Sequence, residues 1–359
     1  MPPASHPQHR TRLMRSLVWG VEKVKKTSWA LMCAKAGFNV IMLDGDGDGS
    51  IVLEQLGFTP EEKTRIFTVE LKMKVGETCF LPFVRKFLQP NARFTWDETA
   101  KEVVTAFPKQ DHSHYMFDIG KLTPNDVVVF DSWKALAEST VFKYADIKDL
   151  DLSEPPTDKS DADYGRNMFG YASNSLNWVL GRIHAMPCHV IVVGHATVYE
   201  KYDNNFKPPK LVEQRTQIFS SSGPHAKGVG ANFHDLFYFD RLSSEVITID
   251  TGGDKQRMGG SRLFPPMRKK WEELLPEKVF EKLGAKPTGE PCRGVQWYAP
   301  GEEVRVGLAA TSVLRSAVQV AVNGAKPEGG TSTTPPSQTS VPVIANKGLA
   351  TIRGFGTKT

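Results

Sequence analysis

The sequence predicts an α/β fold in which helices cover both faces of a mostly parallel β-sheet. Short apolar runs of strand length alternate with amphipathic segments of helix length from residue 13 to residue 250, and this alternation is typical of a parallel sheet. The chain also begins with the order strand, turn, helix, strand, and the turn is rich in lysine. With 359 residues, of which 40% are hydrophobic and 24% charged, the chain can bury a large core.

The first elements lie at the N-terminal end of the predicted core. Residues 17–19 are apolar and run into Gly20, which indicates a strand. A helix is predicted over residues 26–36, because Gly37 stands where glycine commonly ends a helix. The apolar run 38–43 that follows is predicted to be a buried parallel strand.

The remaining elements follow from the same patterns, although their order is hard to read between residues 45 and 120. Helices are predicted over residues 61–68 and 96–107, from Ser132 onward, and over residues 166–185. Buried strands are predicted over residues 126–130, 190–193, 236–239 and 246–249. Residues 146–163 and 202–231 are polar and are predicted to be loops, which at such lengths are usually functional or mobile.

Composition divides the chain into four predicted regions. These are a disordered lead-in over residues 1–12, an α/β core over 13–264, a C-terminal extension over 265–323 and a disordered basic tail over 324–359. The extension is expected to hold helices over residues 271–283 and 307–323, around a short segment at 295–298. The tail is rich in Gly, Pro, Ser and Thr, a composition that cannot bury enough apolar surface to fold.

Charge and hydropathy limit the classes of function. The formal net charge is +5 and the pI is about 8.8, a mildly basic balance that permits DNA as a partner without demanding it. No stretch of 18 apolar residues is present, so neither a transmembrane helix nor a membrane partner is expected. Residues 1–12 lack the apolar core of a signal peptide, which favours a cytoplasmic protein.

The cysteines and histidines predict no metal site of their own. The four cysteines are Cys33, Cys79, Cys188 and Cys292. They are far apart and form no CxxC pair, which favours reduced core thiols over a zinc site. His112 and His114 form an HxH pair in a polar run, and because no second ligand cluster is visible, a solvated loop is expected there.

The turn after the first strand carries most of a phosphate-binding loop. In the pattern GxxxxGK[ST], backbone N–H groups wrap the phosphates, the lysine meets the β- and γ-phosphates, and the hydroxyl binds Mg²⁺. Gly20, Lys26 and Thr27 fit this pattern, but Lys25 occupies the position of the second glycine. A lysine there costs on the order of 1 kcal/mol or changes the loop, because glycine adopts the required conformation freely. The candidate nucleotide-binding residues are Gly20, Val21, Glu22, Lys23, Val24, Lys25, Lys26, Thr27 and Ser28.

A second signal is Asp131, which ends the apolar strand 127–130. A carboxylate at this point is placed to hold Mg²⁺ through water, opposite the hydroxyl of Thr27. Many parallel strands end in aspartate without such a role, and the loop alone reads equally well as a lysine-rich helix start. The two motifs in their order, with the loop between a strand and a helix, favour a nucleotide site with Thr27 and Asp131 as metal ligands.

With these motifs in order, the chain resembles the RecA-type P-loop ATPases, and specifically their phage relatives linked to single-strand annealing and recombination. The resemblance covers residues 13–262. It is carried by residues 20–31 (GVEKVKKTSWAL), 41–46 (IMLDGD), 127–136 (VVVFDSWKAL), 190–195 (VIVVGH) and 255–257 (KQR). It implies a RecA-like core, with ATP and Mg²⁺ as cofactors.

The resemblance also implies a catalytic set. Asp46 corresponds to the catalytic carboxylate that orients water near the γ-phosphate, and Asp44 is a second candidate for that role. His195, at a strand end, corresponds to the γ-phosphate sensor. Lys255 and Arg257 correspond to the pair that reaches a neighbour's nucleotide, which requires a ring or a filament.

Each of these roles has a plainer alternative in the residues themselves. Residues 44–49 could form an acidic turn or a calcium-type loop, although Glu54 is misplaced for the latter. A histidine at a strand end can simply be hydrogen-bonded there. A Lys-Gln-Arg turn beside two glycines can be a solvated loop, and Arg262 is a further candidate for the trans role.

Residues 203–231 lie where RecA-like proteins carry a DNA-contacting loop. Basic residues that alternate with aromatic ones suit single-stranded DNA, through phosphate neutralisation and base stacking. The candidates are Lys207, Lys210, Arg215, His225, Lys227, Phe206 and Phe219. A mobile surface loop of ordinary charge fits the same residues.

The leading hypothesis is therefore a homo-oligomeric ATPase that acts on single-stranded DNA in phage-type recombination, annealing or replication. Its location would be the host cytoplasm if a phage encodes it, and a single-strand-binding protein is a further candidate partner. One alternative is a helicase-like DNA motor. The other is a nucleotide-binding scaffold with little or no hydrolysis, because Lys25 replaces the usual glycine and Asp46 the usual glutamate.

Overall fold

A computed structural model of the chain describes residues 12–71, 80–98, 100–104, 114–148, 161–203, 205–253 and 257–297. Its strands are β1 (Arg15–Gly20), β2 (Asn39–Asp44), β3 (Ile66–Glu70), β4 (Arg93–Asp97), β5 (Glu102–Val104), β6 (His114–Asp118), β7 (Asp126–Asp131), β8 (His189–Asp203), β9 (Lys210–Ile218), β10 (Asp235–Arg241), β11 (Ile247–Asp250), β12 (Gly260–Ser261), β13 (Arg268–Lys270) and β14 (Val295–Trp297). Its α-helices are α1 (Lys26–Leu31), α2 (Gly49–Gln55), α3 (Pro60–Lys63), α4 (Phe80–Phe87), α5 (Trp133–Lys148), α6 (Asp161–Ile183), α7 (Gly223–Val229) and α8 (Pro276–Leu283).

The central sheet confirms the predicted fold class. Its parallel part runs in the order β10-β1-β8-β7-β2-β3. Strands β11, β12 and β13 continue it in antiparallel pairing beyond β10. Because parallel strands point the same way, the carboxyl ends of β1, β8, β7 and β2 meet at one edge, where α/β sheets bind ligands.

Apolar side chains fill both faces of this sheet. Leu17 and Trp19 belong to one buried cluster, and Val18, between them in β1, belongs to the other. The same alternation holds in β7, where Val128 faces the first cluster and Val129 the second. Burial on both faces is the reason that these strands read as continuous apolar runs in the sequence.

A second, four-stranded sheet in the order β14-β6-β4-β5 corrects one predicted helix. Residues 96–107 were expected to be helical, but the described part forms the antiparallel strands β4 and β5. Phe94 and Trp96 are buried while Thr95 between them is half-exposed, which is the two-residue period of a strand. Residues 61–68 are likewise a short helix, α3, followed by strand β3 rather than one helix.

His114 is a further correction, because it does not lie in a solvated loop. It starts β6, is buried, and lies 3.4 Å from Asp97 on the paired strand β4. A partly buried carboxylate beside a buried imidazole is an ordinary strand-pair contact. His112 lies outside the described residues.

Residues 202–231 also differ from the predicted loop. Strand β8 continues to Asp203 and pairs antiparallel with β9, so the two form a long hairpin, and α7 follows it. Its sequence is polar because most of its side chains are exposed, so no apolar run marks the strands.

The described part of the C-terminal extension completes both sheets. Strand β13 pairs with β11, and β14 pairs with β6. In α8, Phe280 stacks on Phe38 with 3.8 Å between the ring centroids. The predicted helix over residues 271–283 is a 3₁₀ turn (Trp271–Glu273) followed by α8. The lead-in up to residue 11, residues 149–160, the predicted helix 307–323 and the tail 324–359 lie outside the described residues.

The thiols in the described part of the chain are buried. Cys33, Cys188 and Cys292 form no disulfide there. Burial raises the pKa of Cys188 to about 12 and the pKa of Cys33 further, so these thiols are inert core side chains. Cys79 lies outside the described residues. Among the described helices, none has the length and apolar character needed to cross a membrane.

Candidate nucleotide-binding site

The loop between β1 and α1 begins at a position that only glycine can occupy. Gly20 has φ +150°, and a Cβ atom there would overlap the carbonyl of Phe239 on the neighbouring strand β10. The chain then turns through Val21–Val24 and enters α1 at Lys26. The sheet therefore sets the start of the loop, since β1 lies between β10 and β8.

Lys25 adopts the conformation expected of the missing glycine. Its φ is 58° and its ψ is 25°, in the left-handed region, and its carbonyl accepts the N–H of Trp29 at 2.8 Å. The substitution therefore keeps the turn into α1 at a conformational cost of about 1–2 kcal/mol. A lysine at this position was predicted either to cost conformational free energy or to change the loop. The structure shows the first outcome, because Lys25 keeps the left-handed conformation.

The Lys26 side chain lies inside the loop. Its Nζ donates to the carbonyls of Gly20, at 3.3 Å, and Val21, and the residue is only 5% exposed. Burial lowers the pKa of Lys26 to about 8, although the carboxylates of Asp131, Glu22 and Asp46 oppose this. A buried ammonium among carbonyls is placed to bind an anion, since a phosphate would stabilise its charged form.

Thr27 and Asp131 meet at the carboxyl ends of the strands. The Thr27 hydroxyl donates to Asp131 Oδ2 at 2.6 Å. Burial, together with the nearby charge of Asp46, raises the pKa of Asp131 to about 8. A divalent cation that binds here would displace this proton into solvent, and these two side chains are the ones that could hold Mg²⁺.

The protein side of a magnesium site here would be small. Within the described residues, no three His, Cys, Asp or Glu side chains form a metal-binding group. Mg²⁺ bound with a nucleotide usually keeps several waters and takes other ligands from the phosphates, so Thr27 and Asp131 would be its protein ligands. The residues present fit Mg²⁺ bound together with a nucleotide.

Asp46 contacts residues of two other strand regions of the sheet, β7 and β8. Its Oδ1 accepts the hydroxyl of Ser132 at 3.0 Å, after β7, and its Oδ2 lies 3.2 Å from Nε2 of His195 in β8. Burial raises the pKa of Asp46, but the bonds from His195 and Ser132 and the charge of Lys134 outweigh it, so the net shift is downward. Asp46 is thus an ionised carboxylate held next to the loop.

Asp44, the second candidate for the catalytic carboxylate, is engaged in the turn that follows β2. Its Oδ1 and Oδ2 accept the backbone N–H groups of Gly47, at 2.7 Å, and Gly49, at 2.8 Å. Burial raises its pKa to about 6. Both oxygens are therefore used in the turn that leads into α2, and the acidic-turn alternative describes Asp44 but not Asp46.

His195 is placed by β8, the strand between the loop strand and the Asp131 strand. Its Nε2 faces Asp46, and its Nδ1 is buried without a hydrogen-bond partner among the described residues. Because an ionised carboxylate can only accept, the contact requires a proton on Nε2 of His195, which donates it to Asp46. The position links Asp46 to the start of the β8–β9 hairpin.

Arg257 is held by its own chain. Its Nη2 lies 2.7 Å from Asp250 Oδ2, and its guanidinium stacks over Tyr238 at 4.5 Å from the ring centroid. The side chain is 14% exposed, so a trans role would require it to exchange its partner. Lys255 lies outside the described residues, and Arg262 is exposed beside β12.

The predicted DNA-contacting residues fall into two groups. Phe206, Lys207 and Lys210 are exposed at the hairpin tip, and Lys210 Nζ lies 5.5 Å from the Phe206 ring centroid. The guanidinium of Arg215 lies over the ring of Tyr199, with 4.3 Å between its Cζ atom and the ring centroid. The exposed large apolar side chains of the hairpin are Val198, Tyr202, Phe206, Leu211 and Val212, at 41–58%.

The second group lies away from the hairpin tip. His225 bonds Ser220 at 2.7 Å and Asn177 at 3.1 Å, so it is a structural residue. Lys227 is exposed on α7. The Nζ atom of Lys134 lies over the Phe219 ring, 5.8 Å from its centroid. The predicted stretch is thus not one binding loop.

Sequence reasoning missed two residues that shape the site. Ser132 binds Asp46 directly, and Lys134 contributes to the low pKa of Asp46. Both lie just after Asp131, where the chain leaves β7 and enters α5. Their position just after a predicted strand could have marked them as candidate site residues. Their contact with Asp46 could not be predicted, because Asp46 lies in a distant part of the sequence.

Comparisons with known proteins add little to this geometry. No protein-family model matches the chain, and no curated protein sequence matches it. Among solved structures, the chain is similar to the crystal structure of the RadB recombinase, with 15% sequence identity and a TM-score of 0.34. The match covers 72% of this chain and 87% of that chain. A likeness at this level does not decide the function, which has to be argued from the site itself.

Proposed function

We propose that this chain binds ATP with Mg²⁺ in the loop of residues 20–28 and hydrolyses it. The observation that carries the proposal is the meeting of Lys26, Thr27, Asp131 and Asp46 at the carboxyl ends of three parallel strands, β1, β7 and β2. A buried lysine, a hydroxyl–carboxylate pair and a separate ionised carboxylate are the parts that phosphoryl transfer to water requires.

Each residue has a distinct task in this proposal. Lys26 holds the β- and γ-phosphates, and Thr27 and Asp131 hold the Mg²⁺ that neutralises them. Asp46 accepts a hydrogen bond from the attacking water and orients it. His195 carries the state of the γ-phosphate from Asp46 to strand β8 and its hairpin.

The proposed nucleic-acid partner is single-stranded DNA, bound by the β8–β9 hairpin. Support comes from the exposed lysines Lys207 and Lys210 beside the exposed rings of Tyr202 and Phe206. Cations neutralise phosphates, and aromatic rings stack on unpaired bases. His195 lies in the same strand as this hairpin, so nucleotide and DNA binding would be coupled through one element.

We further propose that the protein acts in recombination, annealing or replication of the kind that phages carry out, as a homo-oligomer. The resemblance of the motifs, which includes Lys255 and Arg257, supports this part. A ring and a filament both satisfy the requirement for a neighbouring protomer.

One observation favours a second candidate function, a scaffold that binds ATP but does not hydrolyse it. Both carboxylate oxygens of Asp46 are already engaged by Ser132 and His195. Each carboxylate oxygen can accept a second hydrogen bond, so a water-orienting role requires the attacking water to reach Asp46 beside these two partners. If the partners keep the water away, the same loop binds ATP without hydrolysing it.

ATP hydrolysis by the purified protein, with and without single-stranded DNA, tests the proposal. We expect DNA-stimulated turnover in the wild type and in Lys282→Ala, a matched control that removes an exposed lysine from α8. Lys26→Ala should lose both binding and turnover. Binding of ATP without turnover would favour the scaffold, and no binding in the wild type would overturn the nucleotide site.

A further inference from the structure

The lysine at the glycine position of the loop has a partner from the C-terminal part of the chain. The Lys25 ammonium lies 4.6 Å from the ring centroid of Trp271. The two residues are far apart in the sequence, and Trp271 is only 9% exposed. An ammonium over an aromatic face is attracted by the negative face of the ring.

The position of Trp271 is fixed by the surrounding structure. Lys270, just before it, pairs with Thr248 in the central sheet. Three residues after it, the carbonyl of Leu274 accepts the indole N–H of Trp29 at 2.7 Å. Trp29 is itself fully buried and packs against Phe237, so the segment that carries Trp271 is attached to α1 and to the sheet.

The contact acts on the residue that directs the loop into the helix. Lys25 precedes α1, its left-handed backbone sets the direction of the first turn, and no side-chain hydrogen bond caps that helix start. Lys26 and Thr27 follow immediately, so their side chains depend on this conformation. Lys25 and Trp29 are four residues apart and face the same C-terminal segment.

We propose that Trp271 is a positioning residue for the nucleotide loop. Trp271 holds Lys25 in the left-handed conformation that glycine normally provides. The strain of the lysine is offset by its contact with the indole face. Lys25 can therefore replace glycine at this position because the segment of residues 268–275 contacts the loop and α1. This inference rests on the proposed nucleotide site for its functional consequence, but the contact itself exists without nucleotide.

The proposal predicts that Trp271 matters only when Lys25 is present. In the wild-type background, Trp271→Leu should weaken binding of Mg·ATP, measured by titration calorimetry, by between about threefold and tenfold. In the Lys25→Gly background, the same change should have less than about a twofold effect, because glycine adopts the left-handed conformation unaided. An equal loss of affinity in both backgrounds would show that Trp271 only packs against α1. Unchanged affinity in both backgrounds would show that Trp271 does not position the loop.

Lys25→Met keeps the experiment decisive if Trp271→Leu folds poorly. This change on an exposed side chain removes the charge and retains the chain length, and it should weaken Mg·ATP binding to a similar degree. Trp271→Phe, which keeps a weaker aromatic face, should give an intermediate loss. Unchanged binding in Lys25→Met would overturn the proposal.

A nucleotide-free measurement separates this inference from the proposed function. Thermal unfolding of the wild type, Lys25→Met, Trp271→Leu and the double variant forms a double-mutant cycle. We expect the two changes to be non-additive, because both remove the same interaction. Additive losses would contradict the interaction even if ATP binds, whereas non-additive losses in a protein that binds no ATP would overturn only the nucleotide site.

Discussion

Asp44 and Asp46 are two residues apart, but the fold gives them different surroundings. Asp44 ends β2 and accepts two backbone N–H groups of the following turn. Asp46 lies beyond the strand and faces Ser132, just after β7, and His195 in β8. Proximity in sequence therefore does not make the two carboxylates equivalent, and the proposed water-orienting role falls to Asp46.

The first prediction separates these two carboxylates. Asp46→Asn should keep ATP binding and lose at least about a hundredfold in turnover, because an amide is a poor base and binds water differently. Asp44→Asn should lower the free energy of unfolding by about 1–3 kcal/mol, since its amide NH₂ cannot accept the second N–H group. Single-turnover hydrolysis and thermal unfolding distinguish them, and the assignment is reversed if Asp44→Asn is stable but inactive.

The second prediction concerns the pH dependence of the nucleotide-free protein. The pKa of Asp131 is about 8 in the folded state and near 3.8 when unfolded. Between these values the folded state binds the extra proton, so the stability that Asp131 contributes is lost as pH rises towards 8. Asp131→Asn should therefore gain stability relative to the wild type between pH 5 and pH 8.

Denaturant unfolding at the two pH values measures this difference. Glu272→Gln, which neutralises an exposed carboxylate on the 3₁₀ turn after β13, serves as a control and should follow the wild type at both values. A constant difference between Asp131→Asn and the wild type would mean that Asp131 is ionised in the folded protein.

At the scale of elements, the β8–β9 hairpin joins the site to the surface. Strand β8 begins in the buried sheet, passes His195 at the level of Asp46, and continues as an exposed ribbon to Asp203. An element that is rigid at one end and exposed at the other can transmit a change in a hydrogen bond to its tip. The hairpin is therefore the element in which ATP binding and DNA binding would be coupled.

The third prediction tests the hairpin tip. Lys207→Ala with Lys210→Ala should weaken binding of single-stranded DNA. The double change should also reduce the slope of log affinity against log salt by about 1.4, at about 0.7 for each phosphate that a lysine no longer neutralises. Phe206→Ala should weaken binding by about 1–3 kcal/mol with little change in slope, because stacking is not ionic.

Fluorescence anisotropy over a range of salt concentrations provides this measurement. Lys282→Ala removes one exposed lysine from α8 and should leave the affinity and the slope as they are in the wild type. If the tip variants behave like Lys282→Ala, DNA does not bind at this hairpin.

At the scale of the whole molecule, the proposed activity depends on a neighbouring protomer. Arg257 is bound to Asp250 within its own chain, and Arg268 shares that carboxylate at 3.2 Å. Assembly on DNA would have to move Arg257 from Asp250 to a neighbour's phosphates, which leaves Arg268 to neutralise Asp250. This exchange would make hydrolysis conditional on assembly.

The fourth prediction is complementation between inactive protomers. Arg257→Ala should bind ATP but lose DNA-stimulated hydrolysis, and Lys26→Ala should lose binding. Mixed in equal amounts, the two variants should recover about a quarter of the wild-type rate. That is the share of interfaces in which an intact Arg257 meets an intact loop in a head-to-tail assembly.

Lys282→Ala provides the control, because it removes an exposed lysine from α8 and leaves Arg257, Arg268 and Asp250 in place. It should retain DNA-stimulated hydrolysis in the steady state. Normal hydrolysis by Arg257→Ala, or no recovery in the mixture, would show that Arg257 only stabilises Asp250 in its own chain.

The sequence by itself determined the local features that depend on neighbouring residues. Apolar runs such as residues 127–130 predicted buried strands, because burial on both faces leaves no polar position. Gly20, Lys26 and Thr27 predicted the loop between β1 and α1, because their roles follow from spacing along one turn. The α/β class follows from the same alternation of elements.

The tertiary structure alone decided which distant residues meet. The strand order brings Ser132 and His195 to Asp46 and uses Asp44 elsewhere, and it places Trp271 under Lys25. Residues 96–97 and 102–104 lie in β4 and β5 because antiparallel pairing with β6 and with each other overrides a weak local preference for helix. Contacts of this kind depend on how the whole chain packs, and no single segment of sequence contains that information.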